Sequence, residues 1–192
     1  MDDKYDPGSL AGLLRASIVA APWASDPALA EAVALLKAWD LTVTPDNRSA
    51  GLAMLTLQPV GAAVFQGRTP PALKDSLAAA RDFLMRHHGR LDVPWSTLNQ
   101  LHRGDKRVSL TGGPDVLRAV NSVADEPTGT LRAIVGDSLV ILVEWDKDGR
   151  QTVETVSPYG AATGRPDSPH YADQMELFAA ERTKPVPMDI VE

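Results

Sequence analysis

The feature that most constrains the fold of this chain is an almost wholly apolar run, Ser-Leu-Val-Ile-Leu-Val, at residues 138–143. A strand has this composition when both faces of its sheet are covered by other elements. The Asp-Lys-Asp-Gly run at 146–149 is typical of a hairpin turn, and residues 151–156 alternate as a half-exposed partner strand does. Because a strand covered on both faces needs a sheet larger than this hairpin, the missing strands must come from elsewhere.

Helical patterns occupy the first part of the chain. A short helix is predicted before Pro22, with an apolar face of Leu10, Leu13, Leu14 and Ile18. Asp26 is a candidate cap and Pro27 fits the first position of a second helix, which runs from Ala28 to Trp39 with a stripe of Leu29, Val33, Leu36 and Trp39 or Asp40. Further helices are predicted to begin within 49–57 and to span 71–88, the latter ended by Gly89.

The later residues change character. Residues 90–130 are rich in turn-forming residues and are predicted to be loops with one short helix at 114–121. Residues 131–135 predict a strand and 170–182 predict a final helix. Helices, then strands, then one helix indicate an α+β fold. We predict a single segment, mainly helix and loop at 1–130 and β-hairpin plus terminal helix at 131–192.

Composition excludes several classes of function. The 192 residues contain no cysteine, which excludes disulfides, thiolate metal sites and cysteine nucleophiles. A net charge of -6 argues against nucleic-acid and anionic-membrane partners. No apolar run approaches the roughly 20 residues of a membrane span. The N-terminal residues do not have the pattern of a secretory signal, so a free-standing product is expected to be cytoplasmic.

One short segment contains the residue types of a hydrolase triad, Ser168, His170 and Asp173. They lie on one turn, whereas a triad is assembled from separate elements. We therefore interpret Ser168 as a helix cap, with Pro169 at the first helical position and Asp173 near the helix N-terminus. Tyr159 and His170 are the predicted buried polar anchors of this segment.

Two further patterns have structural explanations. His87, His88 and Asp92 are metal-ligand types, but adjacent histidines on a helix point to different faces. The glycine-containing runs at 112–114 and 136–138 match neither a phosphate-binding loop nor a nucleophile elbow, so both are predicted turns. We therefore assign no catalytic, cofactor-binding or metal-binding residue to this chain.

Several motifs in order resemble the C-terminal part of the β-chain of the penicillin and acyl-homoserine-lactone acylases, which are N-terminal-nucleophile amidases. The most specific is residues 157–174, where a Tyr-Gly turn precedes Ser-Pro-His-Tyr-x-Asp-Gln. The other matching pieces are residues 35–40, 83–89 with 93–95, 102–103, 110–113, 136–145 and 177–186. The resemblance runs from Leu29 to Val186 and is nearest to the lactone and aculeacin-type acylases.

This resemblance implies both a fold and a reaction. The fold is an αββα sandwich, in which the hairpin after residue 138 adds strands to the central sheets. The reaction is hydrolysis of a linear amide bond that joins an acyl side chain to an amine. An N-terminal Ser hydroxyl attacks the carbonyl, its own α-amino group is the base, and a backbone N–H and an Asn side chain hold the oxyanion.

The catalytic residues of the family do not transfer to this chain. The nucleophile, a nearby His and the oxyanion Asn lie upstream of the matched region, as do the ligands of the calcium site found in some members. Ser9 follows a glycine, as a self-cleaved Ser does, but Leu-Ala-Gly follows it instead of Asn-Asn-Trp. Asn47, Asn99 and Asn121 lie outside the oxyanion motif. The chain alone is therefore expected to be inactive.

The resemblance also implies partners and a compartment. The partners are the missing N-terminal part of the β-chain, the α-chain and a small acyl-amide substrate, and the compartment is the periplasm. The alternative interpretation is a non-catalytic binding or scaffold domain derived from the same fold.

Overall fold

The computed structural model describes residues 3–187, which fold as two compact units. The first unit contains residues 3–100 and Ser109–Gly136, and the second contains Leu101–Val108 and residues 137–187. The second unit is therefore discontinuous in sequence. Within the described residues, no helix has the length and apolar character needed to cross a membrane.

Helices form most of the first unit. They are α1 (Leu10–Ala20), a short 3-10 helix (Pro22–Ser25), α2 (Ala30–Ala38), α3 (Ala50–Phe65), α4 (Leu73–His88) and α5 (Trp95–Leu98). Helix α4 ends as predicted, because Gly89 takes a left-handed φ of 66° and donates its N–H to the Met85 carbonyl. Helix α3 begins where predicted and continues through Pro59 to Phe65.

The start of α2 differs from the prediction. Asp26 does not cap the helix, and Pro27 is not its first residue. Instead, Asp26 Oδ1 accepts the N–H of Ala28 at 3.0 Å, which closes a turn, and the helix begins at Ala30. The predicted stripe is confirmed as buried: Leu29, Val33, Leu36 and Trp39.

The core of the first unit contains two large indole side chains. Trp39 and Trp95 are each 1% exposed, and the Tyr5 ring meets that of Trp39 edge-on at 5.8 Å. Trp39 Nε1 donates to the Thr42 carbonyl at 2.8 Å and Trp95 Nε1 to the Gly112 carbonyl at 3.0 Å. Both indole N–H groups are therefore satisfied within the core.

The predicted apolar face of α1 is only partly buried. Ile18 is fully covered, whereas Leu10 and Leu13 are 45% and 56% exposed. Ser9 caps this helix, and its hydroxyl accepts the N–H of Gly12 at 3.3 Å.

Three strands occupy the region where the sequence predicts mainly loops, and a fourth confirms the strand predicted at 131–135. They are β1 (Asn99–Arg103), β2 (Lys106–Ser109), β3 (Val120–Asp125) and β4 (Thr130–Gly136), in the sheet order β2-β1-β4-β3. Strands β3 and β4 are antiparallel, and β1 pairs in parallel with β4 at Asn99–Leu131. The tip of the β1–β2 hairpin, Leu101–Val108, belongs to the second unit.

The short helix predicted at 114–121 is wrong. Gly112 and Asp115 have φ values of 84° and 58°, in the left-handed region that an α-helix does not contain. The N–H of Gly113 donates to the Arg118 carbonyl at 3.2 Å, which closes a loop ahead of β3. Gly113 forms an isolated bridge with Ala119 and the turn occupies residues 114–115, so the turn predicted at 112–114 is only partly correct, and no helix follows it.

The second unit is built around a small sheet of order β5-β6-β7. Its elements are β5 (Val140–Trp145), β6 (Gln151–Val156), α6 (Met175–Ala179) and β7 (Lys184–Pro185). The predicted turn is confirmed, since Asp146 Oδ1 accepts the N–H groups of Asp148 and Arg150 and Gly149 has φ 77°. The helix predicted at 170–182 is much shorter, because turns occupy the residues before Met175 and Glu181 turns left-handed with φ 55°.

The apolar strand β5 is exposed on both faces within the described chain. On one face Ile141 and Trp145 are 54% and 66% exposed, and on the other Leu142 is 51% exposed. The strand also lies at the edge of its sheet. The cover predicted for this strand is not supplied by residues 3–187.

Candidate functional site

The candidate site lies in the second unit, in the irregular segment 157–174 that carries the most specific motif. Gln174, which is 8% exposed, holds this segment at both ends. Its Oε1 accepts the N–H of Ser157 at 3.0 Å, and its backbone N–H donates to the Tyr159 carbonyl at 2.8 Å. A Cβ at Gly160 would lie 2.2 Å from the His170 carbonyl oxygen, so only glycine fits this close crossing.

The tip of the β1–β2 hairpin packs against this segment through Arg103. The guanidinium carbon lies 4.8 Å from the ring centroid of Tyr159 and 4.5 Å from that of Tyr171. Both distances are those of cation–π contacts. Lys106 adds a bond to the Ala172 carbonyl at 3.4 Å. The motif and the hairpin are therefore joined by the rings of Tyr159 and Tyr171, which contact Arg103, and by the bond from Lys106.

Ser168, His170 and Asp173 do not form a triad. His170 Nδ1 lies 3.0 Å from Asp173 Oδ2, but the Ser168 hydroxyl accepts the backbone N–H of His170 at 3.2 Å. Ser168 does not begin a helix either, so the capping interpretation is wrong; its hydroxyl instead stabilises a turn.

The predicted polar anchors are half correct. Tyr159 is half-buried and contacts Arg103, whereas the His170 side chain is 67% exposed and cannot anchor the segment. Gln174 and Arg103 perform that role, and the sequence analysis gave it to neither. The local signal at Gln174 is a polar residue next to apolar Met175, and at Arg103 it is a cation next to Gly104; neither specifies a long-range contact.

The histidines of α4 have separate partners. His87 Nε2 lies 3.0 Å from Glu126 Oε2, and His88 Nε2 lies 2.7 Å from the Gly129 carbonyl. Asp92 pairs instead with Arg90, so these side chains do not converge on one point. Across residues 3–187, no group of three or more His, Asp or Glu side chains is arranged to hold a metal ion.

The other polar and glycine-containing segments considered from the sequence lie in strands, in a hairpin turn or in the core. His102 is half-buried on β1, and Arg103-Gly104-Asp105 forms the turn of the β1–β2 hairpin, where Gly104 has φ 56°. Gly136 is the last residue of β4, and residues 137–139 join it to β5 without a turn, so the turn predicted at 136–138 is wrong. Asn99 is fully buried and donates to the Leu110 carbonyl at 3.0 Å. None of these has the exposure and partners of a reacting group.

The comparison with known proteins agrees with the motif order. Residues 5–190 match the sequence profile of the penicillin amidase family. The match covers nearly the whole chain, and it includes the 157–174 segment and the hairpin tip that Arg103 joins to it. The α+β organisation of helices and mixed sheets is consistent with the N-terminal-nucleophile hydrolase fold expected of that family. The chain therefore belongs to the penicillin amidase family.

Proposed function

We propose that this chain is the C-terminal segment of an acylase β-chain. Membership of the family supports an acylase-like amidase at the level of the family. In the proposal, the whole enzyme hydrolyses a linear amide through an acyl-enzyme on an N-terminal Ser. The nucleophile, its base and the oxyanion Asn are supplied by sequence outside these 192 residues.

One observation carries this proposal, the double-sided exposure of β5. An edge strand with apolar side chains on both faces is a strong candidate for pairing and for cover by further elements. In the αββα sandwich implied by the family resemblance, sheets stack face to face and helices cover their outer faces, which would bury both sides of β5. The proposed role of the chain is to complete those sheets.

The proposal assigns partners to the chain by the same reasoning. They are the N-terminal part of the β-chain, the α-chain and, for the assembled enzyme, a small acyl-amide substrate. The proposed compartment is the periplasm. No cofactor is assigned to the residues of this chain.

The first test is to read the coding DNA directly upstream of the Met1 codon. We expect an in-frame extension containing Gly-Ser-Asn-Asn-Trp or a close variant. The full precursor and the 192-residue chain are then assayed on chromogenic anilides of short and long acyl acids. Turnover by the precursor, its loss on Ser→Ala at the new N-terminus, and no turnover by the chain alone are expected.

The opposite pattern supports the alternative, a free-standing binding or scaffold domain. One observation favours this alternative: the first unit has its own buried core, which includes Trp39, Leu52, Leu84 and Trp95. A stop codon close upstream, together with a monodisperse chain that unfolds cooperatively and does not bind an apolar dye, would overturn our proposal.

A further inference from the structure

The Arg103 guanidinium has an edge that is buried and unpaired. Its Nε and Nη2 atoms are shielded from solvent and have no hydrogen-bond partner among residues 3–187. An arginine remains charged at all accessible pH values, and a buried charged donor without an acceptor is strongly unfavourable. The rings of Tyr159 and Tyr171 stabilise the face of the cation but cannot accept these in-plane N–H groups.

Nε and Nη2 form the edge of an arginine that binds a carboxylate with two parallel hydrogen bonds. The same chain shows this geometry elsewhere. Arg90 uses its Nε and Nη2 to contact the two carboxylate oxygens of Asp92, at 2.5 Å and 2.6 Å. Arg103 has the same pair of donors, in contact with two aromatic rings, and these donors have no carboxylate partner among residues 3–187.

The surroundings favour a preorganised site. Gly104 has φ 56°, and a Cβ there would lie 3.3 Å from Tyr171 Cε1, so the hairpin turn and this ring are closely fitted. Orientation of the guanidinium by the rings lowers the entropy lost when a ligand binds. Because Nε and Nη2 are shielded from solvent, entry of a ligand requires a movement of the residues that cover them.

The segment before Tyr171 has the local features of a loop that opens easily. Residues 161–170 are mostly exposed and form turns with few backbone bonds, such as Arg165 N–H to the Ala162 carbonyl and Ser168 N–H to the Arg165 carbonyl, both 3.0 Å. Segments of this kind open at low free energy cost relative to the core. Gln174 holds the ends of the segment in place while its middle opens.

We propose that Arg103, with Tyr159 and Tyr171, is a carboxylate-binding site. The ligand is the carboxylate of a small acid, such as the acid released by amide hydrolysis, or of an Asp or Glu side chain on another part of the enzyme. The carboxylate-binding site itself rests on the geometry of the second unit, and the identity of its ligand rests on the proposed function.

The test uses the 192-residue chain labelled with ¹⁵N. The arginine Nε–H resonances and the tyrosine ring resonances are followed during titration with acetate and phenylacetate, with chloride keeping the ionic strength constant. Acetamide and phenylacetamide are the neutral controls. We expect the Arg103 Nε–H and both rings to shift and saturate with the acids and to remain unchanged with the amides.

Matched variants locate the site. Arg103→Gln should raise the dissociation constant at least about tenfold, and Arg103→Lys should also weaken binding because it keeps the charge but loses the paired donors. Arg107→Gln is the control, because Arg107 is exposed on the same hairpin; it should change affinity by less than about twofold. If Arg103→Gln does not fold, the comparison of acids with amides on the unaltered chain still decides the question.

The two acids also distinguish the sources of the ligand. Equal affinity for acetate and phenylacetate supports a protein carboxylate, because only the charged group is then recognised. A clear gain for phenylacetate supports a free acyl acid. The proposal is overturned if neither acid binds, if the amides bind equally well, or if binding is unaffected in a folded Arg103→Gln chain.

Discussion

The buried Asn99 gives the sharpest test of how the first unit is held together. Its side chain is 0% exposed and makes two hydrogen bonds: Nδ2 donates to the Leu110 carbonyl at 3.0 Å, and Oδ1 accepts the Ser122 hydroxyl at 2.6 Å. These bonds link β1 to the segment after β2 and to β3. The double-mutant cycle of Asn99→Leu and Ser122→Ala isolates the link to β3.

The expected magnitudes follow from the groups left without partners. Asn99→Leu leaves the Leu110 carbonyl and the Ser122 hydroxyl unpaired, at about 1–3 kcal/mol each, so the free energy of unfolding should fall by about 2–6 kcal/mol. Ser122→Ala leaves only the Asn99 Oδ1 unpaired and should cost about 1–3 kcal/mol. In the double variant only the Leu110 carbonyl is unpaired, so its cost should be less than the sum by the two groups that are no longer left without a partner, about 2–6 kcal/mol.

Urea unfolding followed by tryptophan fluorescence measures these values. Trp39 and Trp95 are buried in the first unit, whereas Trp145 is 66% exposed, so the fluorescence change reports mainly on the first unit. Asn121→Ala is the control: Asn121 precedes Ser122 on β3 but is exposed, and its loss should change stability by less than about 0.5 kcal/mol. Additivity of the two single costs within about 0.5 kcal/mol would refute the coupling and the network that predicts it.

Three further predictions use other regions of the chain. Gly89→Ala should reduce the free energy of unfolding by about 1 kcal/mol and lower the melting temperature, because φ at this position is 66°. Gly61→Ala within α3 should increase the free energy of unfolding by about 0.5–1 kcal/mol and raise the melting temperature, because the new Cβ meets only a Leu10 methyl at 3.9 Å. Burial raises the pKa of Asp40, but hydrogen bonds from Thr42 and Asn47 outweigh it and hold that pKa below its usual value. The contribution of Asp40 to stability is therefore present above about pH 4 and lost as the pH falls further, and Asp40→Asn should flatten the acid limb of an unfolding titration below about pH 4. Replacing the exposed Ile141 by Thr should reduce aggregation and apolar-dye binding of the 192-residue chain, with a change in unfolding free energy within about 0.5 kcal/mol; a larger loss of stability would mean that β5 is already packed.

The helices were predictable because their signals are local. The stripe from Leu29 to Trp39 and the end of α4 at Gly89 follow from side-chain periodicity and from the backbone freedom of glycine. The β5–β6 hairpin was equally predictable from its Asp-Gly turn and its apolar strand. The prediction at 114–121 was wrong because residues of moderate helix propensity there are bent by Gly112 and Asp115 into a loop.

The candidate site was only partly predictable because its contacts are distant in sequence. The motif at 157–174 was recognised, and Tyr159 was correctly placed in a polar contact. The final helix was predicted too long because helix propensity continues through a region that is held in turns by Gln174. No periodicity or spacing connects Arg103 to two tyrosines on a segment that begins far along the chain.

The discontinuity of the second unit has a consequence for synthesis on the ribosome. The hairpin tip, Leu101–Val108, emerges well before the other residues of the second unit with which it packs, whereas the first unit is complete at Gly136. Domains tend to fold as they emerge, so the first unit can close while Arg103 still lacks both of its rings. A nascent chain that stalls before Tyr159 would carry a solvent-exposed cationic hairpin on an otherwise folded body, a feature by which quality-control factors could distinguish it from the finished protein.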